Sequence, residues 1–163
     1  ANVRELLVHF RTRPGHEDIE HALRSTLTKF EHQSGLSTHL SLHGDGLPLP
    51  PDHQVQVLHI IQEALSNVRK HAEADHVSLR VEQLPRWTFE VLDNGRGFQA
   101  PSSDQAQTHV GIQIMRERAQ RIGASLTIEG LPEGGTRVRL LLPQTETLRA
   151  SPAQATEEPV LQT

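Results

Sequence analysis

Residues 54–72 constrain the fold of this chain most. Val57, Ile61, Ala64, Leu65 and Val68 stand at i, i+4, i+7, i+8 and i+11, which is one apolar face of an α-helix. A helix of about five turns with such a face must bury it against another layer. Glu63, Asn67, Lys70 and His71 recur at i, i+4, i+7 and i+8, so they share the other side. A carboxylate, a carboxamide, an ammonium and an imidazole then face one way. Glu and Asn oxygens suit Mg²⁺, and Lys suits phosphate. Read alone, the same pattern is also an ordinary solvated helix face.

The segments around this helix supply the second layer. Val77, Leu79 and Val81 alternate, and residues 87–92 follow after a break at Pro85-Arg86. This spacing predicts an antiparallel strand pair. Residues 124–129 and 136–142 read as another pair around Gly130-Leu131-Pro132-Glu133-Gly134-Gly135. Residues 36–42 are compatible with a strand, with Leu36, Leu40 and Leu42 on one face. Ile19, Leu23, Leu27 and Phe30 mark a helix that ends at Ser34-Gly35, and residues 44–51 read as a loop. Gly111 opens a helix with Ile112, Met115, Ala119 and Ile122 as its buried stripe and Gly123 as its C-cap. Residues 99–109 are polar and read as a mobile loop. The order predicts an α+β two-layer sandwich, a mixed and largely antiparallel sheet with helices on one face.

Composition removes several function classes. Net charge is −4 and no basic block occurs, so nothing draws the chain to nucleic acid. With no cysteine there is no disulfide framework and no thiolate metal site. The eleven histidines have no zinc-type spacing, no serine lies in a nucleophile elbow, and there is no Walker-type glycine loop. No apolar run is long enough to span a bilayer. The chain begins at Ala1, mid-pattern, as a piece of a longer protein would.

Three further motifs join the helix. Asp93-Asn94-Gly95-Arg96-Gly97-Phe98 follows directly on a strand. Glycines let a backbone approach a ligand, and a buried carboxylate needs a donor such as an exocyclic amine; the same residues also make a plain β-turn. His109-Val110-Gly111 before a helix is a candidate phosphate seat or simply a helix start. Glu133-Gly134-Gly135-Thr136 is a hairpin turn or a close approach to a ligand.

In this order the motifs resemble the ATP-binding domain shared by histidine kinases, gyrase B, Hsp90 and MutL. The resemblance covers roughly residues 17–143. Residues 63–71 are similar to its N box, 93–97 to its G1 box and 109–115 to its G2 region, followed by a closing G-G-T strand. Gly111 to Ala119, reading G-I-Q-I-M-R-E-R-A, resembles the nitrate/nitrite-sensor branch of sensor kinases, which pairs with helix-turn-helix response regulators.

The resemblance implies a Bergerat ATP-binding fold with ATP and Mg²⁺ as ligands. It implies that Asn67 coordinates Mg²⁺, Glu63 acts as base or positions the attacking group, and Lys70 and His71 approach the phosphates. Asp93 accepts from adenine N6, and Gly95 and Gly97 let the backbone pass the base. Residues 98–109 form the lid, with Val110, Gly111 and Ile112 at its far hinge. Thr136 reaches the adenine, through water.

It further implies a division into the end of a dimerisation helix (residues 1–13, with Val3, Leu6, Leu7 and Phe10 apolar), a catalytic domain (14–143) and a disordered tail (144–163). The partners implied are ATP or ADP, the phosphoacceptor-histidine helices of the parent kinase and a response regulator. The parent would be a membrane-anchored homodimer with this part in the cytoplasm. Two departures stand out. The lid is short, with no second glycine pair and no aromatic helix, which predicts modest nucleotide affinity. His16-Glu17, the one His-acid pair before the N box, follows a Pro14-Gly15 break, so the acceptor helix is missing and the fragment should not autophosphorylate. A stand-alone serine kinase of the anti-sigma type and a degenerate domain without ATP binding are the alternatives. The M-R-E-R-A helix speaks against the first, and intact Glu63, Asn67, Asp93 and Gly95 against the second.

Overall fold

The computed structural model describes residues 16–96 and 105–144, with the side chains of 16–18, 71, 72 and 105–109 left aside. The expectations for residues 1–15, the central lid residues 97–104 and the tail beyond 144 lie outside these residues. The elements are α1 (His16–Ser34), β1 (Ser37–His43), α2 (Pro51–Asn67), a π-helical turn (Val68–Ala72), β2 (His76–Glu82), β3 (Thr88–Asp93), α3 (Gln105–Arg121), β4 (Ser125–Gly130) and β5 (Thr136–Leu141).

The five strands form one sheet in the order β1-β2-β3-β5-β4. β2 pairs antiparallel with β3, Val77 opposite Asp93 and Val81 opposite Phe89. β5 pairs antiparallel with both β3 and β4. β1 pairs parallel with β2. Parallel neighbours need a crossover rather than a tight turn, and α2 is that crossover. The architecture is therefore the α+β mixed sheet expected from the sequence.

One face of the sheet holds the core. Val77, Leu79, Val81, Phe89, Val91 and Leu140 are buried, with intervening residues partly open, as a period of two requires. From the helices come Ile19, Leu23, Leu27 and Phe30 of α1, Val57, Ile60, Ile61, Ala64 and Leu65 of α2, and Met115 and Ala119 of α3. Aromatics are few, and two of them sit together: Trp87 stacks on Phe89 with ring centroids 5.6 Å apart. The buried Trp87 indole donates to the Pro48 carbonyl at 2.9 Å.

Helix ends follow local chemistry. Pro51 takes the first helical position of α2, where its missing N–H costs nothing, and Asp52 follows in the first turn. The helix thus starts three residues before the periodic run, and Pro51 is helical rather than part of the loop. Gly123 closes α3 with φ +67°. Its amide donates to Gln120 O and that of Ala124 to Ala119 O, the Schellman pair. The Glu31 carboxylate of α1 accepts from both the amide and the hydroxyl of Thr38, which pins α1 to β1 and holds the carboxyl below its usual range.

Two buried glutamines carry the loop between β1 and α2. Gln83 accepts from the Leu47 amide at 2.9 Å and donates to the Gly44 carbonyl at 3.1 Å. Gln54 donates to the Leu49 carbonyl at 3.0 Å. These bonds satisfy polar groups that burial would otherwise leave costly.

α3 is longer than its apolar pattern suggests. It begins at Gln105, so residues 105–109 are helix and not loop, and Gly111 lies inside the helix rather than at its start. Gln and Ala are good helix formers, and no Pro or Gly interrupts residues 105–110. The stripe itself is as expected: Met115, Ala119 and Ile122 are buried and Ile112 packs against them.

Candidate functional site

α2 and α3 pack side by side, and their facing polar residues form the first wall of the site. Gly111, without a side chain, leaves room for these residues at the seam. A Cβ at Gly111 would collide with the Glu63 carboxylate and come within 3.6 Å of Asn67 Oδ1. Both Glu63 and Asn67 are half-buried under this contact. Eight residues along α3 from Gly111's neighbour Val110, Arg118 donates to Gln56 of α2 at 3.2 Å, so the two helices run antiparallel. Gly111 is not at a helix start, where the phosphate-seat expectation placed it. The amides there are inside a helix and already committed to its ladder. What Gly111 supplies is space beside Glu63.

Beyond Asn67 the helix changes pitch. Val68–Ala72 is a π turn, and Glu73 then leaves in the left-handed region with φ 54°. Bonding five residues back adds roughly one residue to the turn. Lys70 and the His71 backbone therefore do not continue the α-helical spacing from Glu63 that the sequence predicts. Lys70 is exposed; the His71 side chain lies outside the described set.

The second wall is the end of β3. Asp93 is its last residue and is buried. Its Oδ1 accepts from the Gly95 amide at 2.8 Å, and the Thr136 amide also donates to this carboxyl. Burial pushes the Asp93 carboxyl above the usual carboxylate range, and the two amides hold the rise in check. A carboxylate with two backbone donors still has lone pairs for a third, which an amine-bearing ligand supplies.

Thr136 stands beside Asp93 because the β4–β5 turn closes on the β3 end. Gly134 and Gly135 have φ of +104° and +98°. A Cβ on Gly135 would run into the Asp93 carbonyl oxygen and lie 3.0 Å from its carbonyl carbon, and one on Gly134 would touch Gly95 O at 3.5 Å. The G-G-T and D-N-G motifs, about forty residues apart in sequence, are thus in backbone contact. Both left-handed angles and the missing Cβ are needed there.

Two residues that the sequence reading did not single out hold this wall. Asn94 Oδ1 accepts from the amides of Asp75 and His76, at 2.9 and 3.0 Å, and fixes the start of β2 to the turn. Arg96 lies 3.5 Å from Glu73 and links the turn after β3 to the end of the π turn. The Asn-Gly dipeptide signals a turn, which hides the bonding role of Asn94.

Site residues therefore fall into two groups. Glu63, Asn67 and Gly111 meet at the α2–α3 seam; Asp93, Gly95, Gly135 and Thr136 meet at the strand ends. Val110 is 59% exposed and does not join either group, and Ile112 packs against the core. Gly97 lies outside the described residues. Among the described residues no group of three His, Asp or Glu could cage a metal ion. A carboxylate and a carboxamide one turn apart still fit a Mg²⁺ held mainly by phosphate and water. The buried acceptor at Asp93 fits an adenine amine.

The site features are thus a buried aspartate at a strand end of a mixed sheet and a Glu-Asn pair one turn apart on a helix of the layer over it. A profile of the histidine kinase-, DNA gyrase B- and HSP90-like ATPase family matches residues 52–146, and the chain belongs to that family. It is 36% identical over 140 residues to the nitrate/nitrite sensor protein NarQ of Escherichia coli (strain K12), covering 85% of this chain and 24% of that protein. In fold it is similar to the histidine kinase domain of the Erythrobacter litoralis EL346 blue-light activated histidine kinase, with a TM-score of 0.62 at 23% identity over 78% of this chain and 65% of that one. It is also similar to full-length ShkA in complex with AMPPNP, with a TM-score of 0.62 at 19% identity over 77% and 30% of the two chains. The chain spans about a quarter of the length of the curated relatives it matches. No helix among the described residues is long and apolar enough to cross a membrane.

Proposed function

We propose that this chain is the ATP-binding catalytic domain (residues 14–143) of a two-component sensor histidine kinase. The observation that carries the reading is the buried Asp93 carboxyl, which takes donors from Gly95 and Thr136 and keeps acceptor capacity beside a backbone stripped of side chains. Asp93 takes the N6 amine of adenine, and Gly95, with Gly97, lets the base lie against the turn. Thr136 contacts the same base, through water.

Asn67 holds Mg²⁺, and Glu63 orients or deprotonates the attacking group. Lys70 and His71 meet the phosphates. Gly111 keeps α3 from displacing the Glu63 carboxylate, with Val110 and Ile112 flanking it at the end of the lid. Mg·ATP supplies the γ-phosphoryl group, and the residues here position it and balance its charge. The acceptor is a histidine on a dimerisation helix of the parent, of which residues 1–13 are the end, and the phosphoryl group then passes to a helix-turn-helix response regulator. The likeness to sensor kinases supports a homodimeric, membrane-anchored parent with this domain in the cytoplasm.

Isothermal titration of ADP into the chain tests the reading. Wild type is expected to bind with micromolar to sub-millimolar affinity, roughly −8 to −5 kcal/mol, and Asp93→Ala to show no heat of binding. Equal binding by Asp93→Ala would remove the base-recognition role.

A further inference from the structure

Asn94 ties together the two walls of the proposed nucleotide site. Its neighbour Asp93 is the buried acceptor at the end of β3. Its own Oδ1 accepts from the amides of Asp75 and His76, at 2.9 and 3.0 Å. Two N–H donors on one atom fix that atom as the carboxamide oxygen. The main chain closes the same joint. The Asn94 amide donates to the His76 carbonyl at 3.3 Å, and the Ser37 amide donates to the Asp75 carbonyl at 3.2 Å. The starts of β1 and β2 and the end of β3 thus meet around one side chain.

The chain that enters this joint comes from the helix carrying Glu63 and Asn67. After the π turn Val68–Ala72, Glu73 holds φ 54°, the one positive φ outside glycine among the described residues. A residue with a Cβ keeps that conformation only where its surroundings hold it. Arg96 reaches the Glu73 carboxylate at 3.5 Å, and Asn94 takes the amide two residues further on. Both ties come from the turn that follows Asp93. The ion pair is largely exposed and contributes little by itself, so the two amide bonds at Asn94 are the firmer tie.

We infer that Asn94 is a positioning residue, which sets where the π turn and Lys70 stand relative to Asp93. The inference rests on the nucleotide reading above and adds a division within it. Recognition of the base at Asp93 and Thr136 needs nothing from the Asn94 side chain, because the Gly95 and Thr136 amides hold the Asp93 carboxyl. The phosphates lie toward Asn67 and Lys70, and the span from there to the base seat is what Asn94 fixes. Removing its side chain leaves the base's share of the affinity and takes away the phosphates' share.

The test is NMR titration of the full chain with adenosine and, separately, with Mg·ADP, followed at the Thr136 amide. Wild type is expected to bind ADP more tightly than adenosine. In Asn94→Ala the ADP affinity is expected to fall about tenfold, while the adenosine affinity stays at the wild-type value. Asn94→Asp keeps an oxygen for both amides and is expected to restore most of the wild-type ratio between the two ligands. A merely structural role for Asn94 would lower both affinities together in Asn94→Ala, and that result would overturn the inference. So would an unchanged ratio in Asn94→Ala, or an Asn94→Asp variant as weak toward ADP as Asn94→Ala. If wild type bound neither ligand, the nucleotide reading would fall and this inference with it; if wild type preferred ADP and Asn94→Ala kept the preference, this inference alone would fall.

Discussion

A Cβ on Gly111 of α3 would strike the Glu63 carboxylate of α2, and Asn67 lies at the same contact. The side chain that sets the limit is the flexible end of a glutamate, so it can move aside.

Gly111→Ala is therefore predicted to be nearly neutral for stability. Alanine in a helix interior gains about 1 kcal/mol over glycine, and displacing Glu63 offsets it. In a Glu63→Ala background the same substitution should stabilise by about 1 kcal/mol, because the obstacle is gone. Urea unfolding of the four proteins of this cycle measures the coupling. Equal effects of Gly111→Ala in both backgrounds would mean that the two residues do not share the contact.

Gly135→Ala meets backbone instead. The new Cβ would strike the Asp93 carbonyl, which cannot swing away, at a φ that L-residues rarely adopt. A loss of about 3 kcal/mol or more is expected, from overpacking plus left-handed strain. Gly134→Ala keeps only the strain and ordinary contact with Gly95 O, so about 1–2 kcal/mol is expected. Denaturant midpoints of the pair check the order.

Asp93 gives a pH signature. Its carboxyl is raised by burial, so the folded state prefers the neutral form. This preference stabilises the fold below the unfolded aspartate value and is lost as pH rises through the folded value. At neutral pH the buried charge is a cost, and Asp93→Asn should be at least as stable as wild type. Nucleotide binding runs the other way, because a ligand amine needs the ionised acceptor. ADP affinity should fall as pH drops through the raised Asp93 value, and Asp93→Asn should lose that dependence together with most of the affinity. Titrations between pH 4 and 8, followed for both proteins alongside thermal unfolding, test both signs.

Asn94→Ala removes the acceptor shared by the Asp75 and His76 amides. Because the site is exposed, about 1 kcal/mol is expected rather than a full burial penalty. Hydrogen exchange at Asp75 and His76 should quicken more than at Leu79 in the middle of β2.

Much of this arrangement was readable from residue spacing. The alternating Val77, Leu79 and Val81 and the run from 87 to 92 predicted an antiparallel pair, because a half-buried strand must alternate, and the observed second strand is shifted by one residue, Thr88–Asp93. The stripe from Val57 to Val68 gave α2. The start of α3 was hidden, since Gln105 to His109 carry almost no apolar residues and periodicity cannot see a polar turn. The π turn was hidden as well: nothing in Val68-Arg69-Lys70-His71-Ala72 separates five-residue bonding from four-residue bonding. Hence Lys70 was placed on the Glu63 face by α-helical arithmetic that stops at Asn67. Gln54 and Gln83 resemble surface residues in sequence; burial comes from the loop that bonds to them.

The division of labour between Asp93 and Asn67 is the central claim, and calorimetry with ADP in the presence and absence of Mg²⁺ tests it most directly. Asp93→Ala should abolish binding in both conditions, whereas Asn67→Ala should bind like metal-free wild type whether or not Mg²⁺ is added. If the two variants behaved alike in both conditions, one recognising the base and the other the metal would be the wrong account of this site.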